Sequence, residues 1–376
     1  MKTATELGKS DHIESHMSLL SQQAQVDLPA RALGGIVVPT IRPESLGEAA
    51  RLARDLRCPI VALCSTHIQV REARQRIGSN PAGMLAASIP VSPQGQLGNL
   101  LSFLTTRHPE NDVLPSCHND IARKRNTGLL LARISGWQTV MFLDDDIRGL
   151  TAEAVSRAAA LTGKYRAVGF TIEDYPDNSV VCHAHRLTGA NQGTFPGGSA
   201  LILDVGRCDG PFPAIYNEDW LFLYDAVKSR SLAVAGPLCQ LPYMPFDRVL
   251  RAASEEFGDL IAEGLFRLIH EGGDVADARA DFWRSALERR ARLIEQIADR
   301  LLLREGNLQE IGAALMSLTA ARKRLAAISP LACLSFVRAW RADVDTWQGR
   351  LKALPALGTL TEAAKYLALN AVRGGR

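Results

Sequence analysis

The 376-residue sequence lacks closely spaced cysteines, long apolar runs and an abundance of aromatic residues, which make up 6%. Its seven cysteines are widely separated and form no Cys-x-x-Cys pair, which excludes a disulfide framework and a zinc ribbon. The longest apolar runs fall far short of the roughly 18 residues that a membrane-spanning helix needs. Residues 1–30 contain no apolar segment typical of a signal peptide. We therefore expect a reduced, cytoplasmic protein with no transmembrane segment.

A large excess of one charge is also absent, since the formal net charge is +3, and this value gives no reason to expect a nucleic-acid partner. The charge is uneven: residues 281–376 carry +7 and the remainder carries −4. Such a basic stretch could face an anionic substrate, but it is more often the solvated face of arginine-rich helices. Hydrophobic residues make up 47% and charged residues 22%, as in ordinary globular proteins.

Apolar runs with β-branched residues alternate with segments of helical period over the first 250 residues. Predicted strands cover residues 34–40, 59–64, 137–143, 166–172, 180–186 and 200–203. Predicted helices cover residues 45–56, 120–135 and 151–161. Residues 78–116 are rich in Gly, Pro, Ser and Asn, and we predict a long loop with one helical piece there.

This alternation predicts an α/β fold, Rossmann-like, with a mostly parallel sheet flanked by helices. From residue 254 to 347 nearly the whole chain has helical period and is rich in Ala, Leu, Arg and Glu. We therefore predict an N-terminal tail at 1–30, an α/β domain at 31–250 and a C-terminal α-helical domain at 251–376.

Three successive carboxylates, Asp144–Asp146, follow the predicted strand 137–143, at the end of the strand where open α/β sheets bind ligands. Burying them without a cation would be costly. Mg²⁺ and Mn²⁺ prefer such oxygen ligands and often bind one or two carboxylates together with substrate phosphates. Strand alternation would place Asp144 and Asp146 on one side and Asp145 on the other, which makes Asp144 and Asp146 the expected metal pair. Alternatively, these acids cap the following helix.

Four features lie around this triplet in a characteristic order. They are the stretch Ile121–Gly128 before the strand that ends at Asp144–Asp146, residues 39–44 after the first strand, Pro196–Ala200, and Asn217–Trp220. Together they resemble the Arg-Asn-x-Gly helix with the Asp-x-Asp motif, the first nucleotide-contacting loop, the Gly-rich acceptor loop and the Glu-Asp motif of GT-A fold nucleotide-sugar glycosyltransferases. The likeness is greatest to their bacterial family-2-like branch.

The resemblance implies a GT-A fold and a role for each matching residue. Asp146 would bind Mn²⁺ or Mg²⁺ together with Asp144, and Asp219, beside Glu218, would deprotonate the acceptor hydroxyl with inversion at the anomeric carbon. Nucleotide-sugar contacts would come from Pro39, Thr40, Arg42, Arg125, Asp144 and Asp145. Acceptor contacts would come from Gly197, Gly198 and Trp220.

His183 and His185 would share one face of the predicted strand 180–186. Histidines two residues apart can bind a metal, although two polar side chains on a half-exposed strand are the simpler interpretation. Acceptor binding by His185 is the main alternative.

The implied partners are a UDP- or GDP-sugar donor and a small-molecule or glycan acceptor, and we also expect a homodimer. The second strand ends in Leu63–Thr66, without the Asp that many relatives carry there, so the base stays open. A retaining enzyme is one alternative. A sugar-phosphate nucleotidyltransferase would need a Gly-rich phosphate loop with Lys, and residues 39–43 contain neither residue. A non-catalytic nucleotide-sugar-binding protein should lack the Asp triplet or the Glu-Asp pair.

Overall fold

The computed structural model describes residues 12–20, 29–111, 113, 118–176, 178–369 and 371–374. The chain folds into two compact units. Among the described residues, the helical unit comprises those within 12–19, 178–195 and 243–337, and the sheet unit comprises those within 20–176, 196–242 and 338–374. Residues 12–19 of the expected tail thus group with the helical unit, whereas residues 1–11 and 21–28 lie outside the described residues.

Nine strands and twelve α-helices occur in the described residues. The strands are β1 Ile36–Thr40, β2 Ile60–Cys64, β3 Met84–Ser88, β4 Thr139–Leu143, β5 Ile147–Arg148, β6 Ala167–Ile172, β7 Ala200–Asp204, β8 Leu232–Gln240 and β9 Ala371–Gly374. The helices are α1 Gly47–Asp55, α2 His67–Ile77, α3 Gly95–Leu100, α4 His118–Ile134, α5 Ala152–Leu161, α6 Val180–Leu187, α7 Glu218–Lys228, α8 Val249–His270, α9 Ala280–Leu302, α10 Leu308–Ala327, α11 Pro330–Lys352 and α12 Leu360–Tyr366.

The strands form a mixed sheet in the order β5-β8-β6-β7-β4-β1-β2-β3-β9. The α/β class is confirmed, but the expected mostly parallel sheet is wrong. Four neighbouring pairs are parallel, and β4–β7, β6–β7, β5–β8 and β3–β9 are antiparallel. Parallel neighbours need a crossover connection of a dozen or more residues, usually a helix. The chain between β6 and β7 contains one described helix, α6, and this helix belongs to the helical unit. The strand β7 runs antiparallel to both of its neighbours, β4 and β6.

Every residue of β1 and β2 is buried, as expected for central strands covered on both faces. On one face, the apolar side chains of α1, α2 and α5 form a continuous core with the sheet. On α4, a Cβ at Gly128 would lie 2.7 Å from Val37 Cγ1 and 2.9 Å from Phe142 Cε1. Glycine therefore allows α4 to approach β1 and β4 closely. This approach holds Arg125, one helical turn before Gly128, near the carboxyl end of β4.

Two secondary-structure predictions are wrong. The strand β3 lies within residues 78–116, which were expected to form a loop, and it pairs in parallel with β2. Residues 180–186, expected to be a strand, lie in the helix α6. The side chain of Ser179 caps α6 by accepting a hydrogen bond from the Cys182 backbone N–H. This cap satisfies a helix N-terminus and favours the helix over the strand.

In the helical unit, α6, α8, α9 and α10 pack together. The predicted domain boundary near residue 250 stays a prediction. The buried Arg290 of the helical unit donates to Glu256 Oε1 from Nε at 2.9 Å and to Asp259 Oδ2 from Nη2 at 2.5 Å. The helix α11 belongs to this unit up to Val337 and to the sheet unit from Arg338.

The six cysteines whose surroundings are described are free thiols, in agreement with the absence of a disulfide framework. Among the described helices, none has the length and hydrophobicity needed to cross a membrane.

Candidate functional site

The acidic triplet forms the turn between β4 and β5 in the sheet unit. The backbone N–H of Asp144 donates to the carbonyl of Ser199 at 2.8 Å, and the backbone N–H of Leu241 donates to the carbonyl of Asp146 at 2.9 Å. Within the turn, Ile147 N–H donates to the Asp144 carbonyl at 3.3 Å. Backbone hydrogen bonds thus fix the turn that carries the three carboxyl groups at the carboxyl end of β4.

The expected alternation of the three side chains is not maintained, because β4 ends at Leu143 and the acids lie in a turn. The Asp144 carboxylate contacts Arg125, with Nη2 at 3.0 Å from both carboxylate oxygens. Asp145 and Asp146 instead share Arg42. The triplet therefore divides into Asp144 on one arginine and a neighbouring pair on another.

Asp145 is the most fully bonded of the three acids and is 6% exposed. Its Oδ2 accepts from Thr40 Oγ1 at 2.6 Å and from the Arg42 backbone N–H at 3.2 Å. Its Oδ1 accepts from Arg42 Nε at 3.0 Å and Nη2 at 2.5 Å. Asp145 thus holds the loop after β1 against the triplet.

Arg125, on α4, connects the triplet to the acids of α7. Its guanidinium contacts both Asp144 and Glu218, and Glu218 is buried. A Cβ at Gly198 would lie 2.3 Å from Arg125 Nη1, so only glycine leaves room for the guanidinium. Residues far apart in the sequence are therefore brought into one cluster in the sheet unit.

The protonation of this cluster is set by burial and by the central cation. Burial raises the pKa of Asp144 to about 7, although Arg125 opposes the shift. Burial likewise raises the pKa of Glu218 to about 8, again against Arg125. Burial would lower the pKa of Arg125, but Asp144, Glu218 and Asp219 together raise it. Arg125 is thus a permanent cation between two carboxyl groups that take up protons near neutral pH.

Asp219 is the partly exposed member of the Glu-Asp pair. Its Oδ2 accepts from the backbone N–H of Gly198 at 2.5 Å, and its Oδ1 accepts from the backbone N–H of Trp220 at 2.9 Å. The preceding Asn217 has φ 60° and ψ 36°, a left-handed conformation that asparagine tolerates better than most residues. This turn at the start of α7 orients Asp219 separately from the buried Glu218.

Lys124 is a residue of the site that the sequence analysis missed. It is 1% exposed, and its Nζ contacts the Thr40 carbonyl at 2.9 Å, Ser65 Oγ at 2.8 Å and Asp120 Oδ2 at 2.6 Å. It therefore joins the ends of β1 and β2 to α4. The available signal was the Asp120–Lys124 spacing, since residues i and i+4 are neighbours on a helix.

The other residues that were predicted to contact the donor or the acceptor are Pro39, Gly197, Trp220 and His185. Pro39 is buried in β1 opposite Leu63, Gly197 lies in the loop before β7, and Trp220 is half-buried on α7. His185 belongs to the helical unit, where it is 6% exposed with Nδ1 3.4 Å from Gln192 Oε1. Its part in acceptor binding stays a prediction.

The carboxylates of the triplet can hold a divalent cation only together with ligands from a substrate. No group of three or more His, Cys, Asp or Glu side chains in the described part of the chain could hold a metal ion. The carboxylate of Asp146 has one cationic partner there, Arg42 Nη2 at 3.1 Å, while both oxygens of Asp144 contact Arg125. Mg²⁺ commonly binds one or two carboxylates together with substrate phosphates. Asp146, with Asp144 beside it, therefore suits a cation that substrate phosphates help to bind.

The chain was compared with protein families, curated proteins and solved structures. No protein-family model matches the sequence, and no curated protein does. The chain is similar to the mannosyltransferase PcManGT from Pyrobaculum calidifontis, solved in complex with GDP-Man and Mn²⁺. The two are 14% identical, the match covers 94% of this chain and 92% of that one, and the TM-score is 0.42.

Proposed function

We propose that this protein is a GT-A type glycosyltransferase that moves a sugar from a nucleotide-diphosphate sugar to an acceptor hydroxyl, with inversion at the anomeric carbon. The observation that carries the proposal is Arg125, whose buried guanidinium joins the partly exposed Asp144 to the buried Glu218. Two of the acidic motifs on which the resemblance rests thus share a single cation. Acids that lay at the same sheet edge without a common function would not need to share an arginine.

Asp219 is the proposed general base. It is partly exposed, and each carboxylate oxygen accepts one backbone N–H, so each keeps a lone pair for a hydroxyl proton. The acceptor oxygen forms a bond to the anomeric carbon while the bond from that carbon to the phosphate oxygen breaks. The electron pair leaves with the nucleoside diphosphate, and the hydroxyl proton moves to Asp219.

Positive charge for the leaving diphosphate comes from this chain as well as from the proposed metal. The Arg42 side chain is 44% exposed at the triplet, and a guanidinium is well suited to binding phosphate oxygens. Asp146 and Asp144 would hold Mn²⁺ or Mg²⁺, which when bound supplies neutralisation of the charge that develops on the leaving diphosphate. Glu218 is buried against Arg125 and is a positioning residue.

Calorimetric titration with a panel of UDP- and GDP-sugars, with and without Mn²⁺, tests the proposal. We expect nucleotide-sugar binding that is strengthened by Mn²⁺ in the wild type and much less so in an Asp146→Ala variant. Asp345→Ala is a matched control, because Asp345 is an exposed aspartate on α11 in the sheet unit. Equal binding of every nucleotide by wild type and Asp146→Ala would refute the metal assignment. Absence of nucleotide-sugar binding under all conditions would refute the function.

A further inference from the structure

We infer that Arg42 is a positioning residue that occupies Asp146 in the ligand-free protein and is transferred to the donor's diphosphate when the donor binds. This makes binding of the divalent cation depend on the donor. The inference rests on the proposed function and concerns the same site. Its basis is the single guanidinium nitrogen, Nη2, that lies 2.5 Å from Asp145 Oδ1 and 3.1 Å from Asp146 Oδ2.

The two arginines at the triplet differ in how easily they can move. Arg125 has a side chain 3% exposed and is held between Asp144 and Glu218. Arg42 has a side chain 44% exposed, while the side chain of its partner Asp145 is 5% exposed, so the guanidinium already contacts solvent and can turn from one anion to another there. An ion pair with a solvated cation is weaker than a fully buried pair, whose separation is strongly unfavourable. Arg42 is therefore the exchangeable cation, and Arg125 is the fixed one.

Asp145 keeps both hydrogen bonds to its Oδ2 when the Arg42 guanidinium leaves, and it loses the two that Arg42 Nε and Nη2 donate to its Oδ1. Thr40 Oγ1 donates to Asp145 Oδ2 at 2.6 Å, and the Arg42 backbone N–H donates to the same oxygen at 3.2 Å. The Arg42 backbone N–H also lies 2.9 Å from Thr40 Oγ1. Release of the side chain therefore leaves the loop after β1 attached, with the buried Asp145 carboxylate still bonded at Oδ2. Asp146 loses its cationic partner and becomes available.

The divalent cation and the Arg42 guanidinium compete for Asp146 because both are positively charged. A divalent cation and a guanidinium at the same Asp146 carboxylate repel each other, so either one weakens the binding of the other. A diphosphate removes the conflict, because it offers oxygens to the guanidinium and to the cation together. The donor and the cation should therefore strengthen each other's binding, with Arg42 as the residue that couples them.

The test is a Mn²⁺ titration followed by the electron paramagnetic resonance signal of free Mn²⁺, with and without UDP or GDP. In the wild type we expect the matching nucleotide to tighten Mn²⁺ binding by about tenfold or more. In Arg42→Met, Mn²⁺ without nucleotide should bind about fivefold tighter than in wild type, and the effect of the nucleotide should shrink to about threefold or less. Arg42→Lys, which retains a cation, should restore weak Mn²⁺ binding in the absence of nucleotide.

Arg148→Met is the matched control. Arg148 is also a cation beside the triplet, but its Nη1 donates to the backbone carbonyls of Asp145 and Ile147 at 3.0 and 2.7 Å. This variant removes the same charge without releasing the Asp146 carboxylate. An equal gain in Mn²⁺ affinity in Arg148→Met would overturn the inference, because general electrostatics would explain it.

The inference and the function fail in different ways. If wild type binds nucleotide and Mn²⁺ but Arg42→Met binds Mn²⁺ no tighter than wild type, the inference is overturned and the function stands. If wild type binds neither Mn²⁺ nor any nucleotide, both are overturned. Circular dichroism of each variant confirms that it is folded before the titrations are compared.

Discussion

Removal of the Arg125 guanidinium should destabilise the protein strongly and in a pH-dependent way. In Arg125→Met, Asp144 and Glu218 lose the cation that lies between them. Breaking a buried ion pair by removing one partner typically costs about 3–5 kcal/mol. For a domain of about 200 residues, this corresponds to a fall in Tm of roughly 6–20 °C. We expect this loss at pH 8.5 in urea denaturation followed by circular dichroism.

The sign of the pH dependence follows from the two carboxyl groups. Burial raises the pKa of Asp144 to about 7 and that of Glu218 to about 8, above their unfolded values near 4. The folded state therefore holds protons that the unfolded state has lost. The stability that these protons provide is fully present below about pH 4 and is lost as the pH rises through about 7 and 8.

Because Arg125 lowers both of these pKa values, its removal raises them further. At pH 5.5 both carboxyl groups are protonated with or without Arg125, so the substitution should cost less stability than at pH 8.5. Arg290→Met is a matched control, because Arg290 is another buried arginine between two acids, Glu256 and Asp259, in the helical unit. It should lose stability without losing nucleotide binding. A loss below about 1 kcal/mol at pH 8.5, or a larger loss at pH 5.5, would refute the reasoning.

Three further predictions concern the glycine, the turn and the base. Gly198→Ala should lower stability by about 1–3 kcal/mol in urea denaturation, because its Cβ would overlap the Arg125 guanidinium; Gly312→Ala, at an open helical position, should raise stability by up to about 1 kcal/mol. Asn217→Val should cost about 1–2 kcal/mol more than Asn217→Gly at the left-handed φ of 60°; equal losses would contradict the strain. Asp219→Asn should lower kcat for transfer by about 100-fold or more with donor affinity unchanged, and full activity would exclude Asp219 as the base.

Much of the fold could be predicted because the strands that cross the centre of the sheet have an unmistakable composition. Residues 36–40 and 60–64 are short apolar runs with β-branched residues, and all are buried. Strand direction could not be predicted in the same way, since the side-chain pattern of β7 does not depend on whether its neighbours are parallel. β3 was missed because its short run Met84–Ser88 is flanked by Gly, Pro and Ser.

The site was partly predictable for a related reason. Types of residue and their order identified the acidic triplet and the Glu-Asp pair, but contacts between distant segments carry no local signal. The approach of Arg125 to Gly198 depends on how α4 packs on the sheet. Residues 180–186 were predicted to form a strand with His183 and His185 on one face, whereas the cap at Ser179 starts a helix.

A crystal structure of the protein soaked with UDP or GDP and Mn²⁺ tests the central claim most directly. The account predicts a Mn²⁺ ion bound to the Asp146 carboxylate and to diphosphate oxygens, with the Arg42 guanidinium moved from Asp146 to the phosphates and Arg125 still between Asp144 and Glu218. A nucleotide bound away from the triplet, or a Mn²⁺ ion without contact to Asp146, would contradict it.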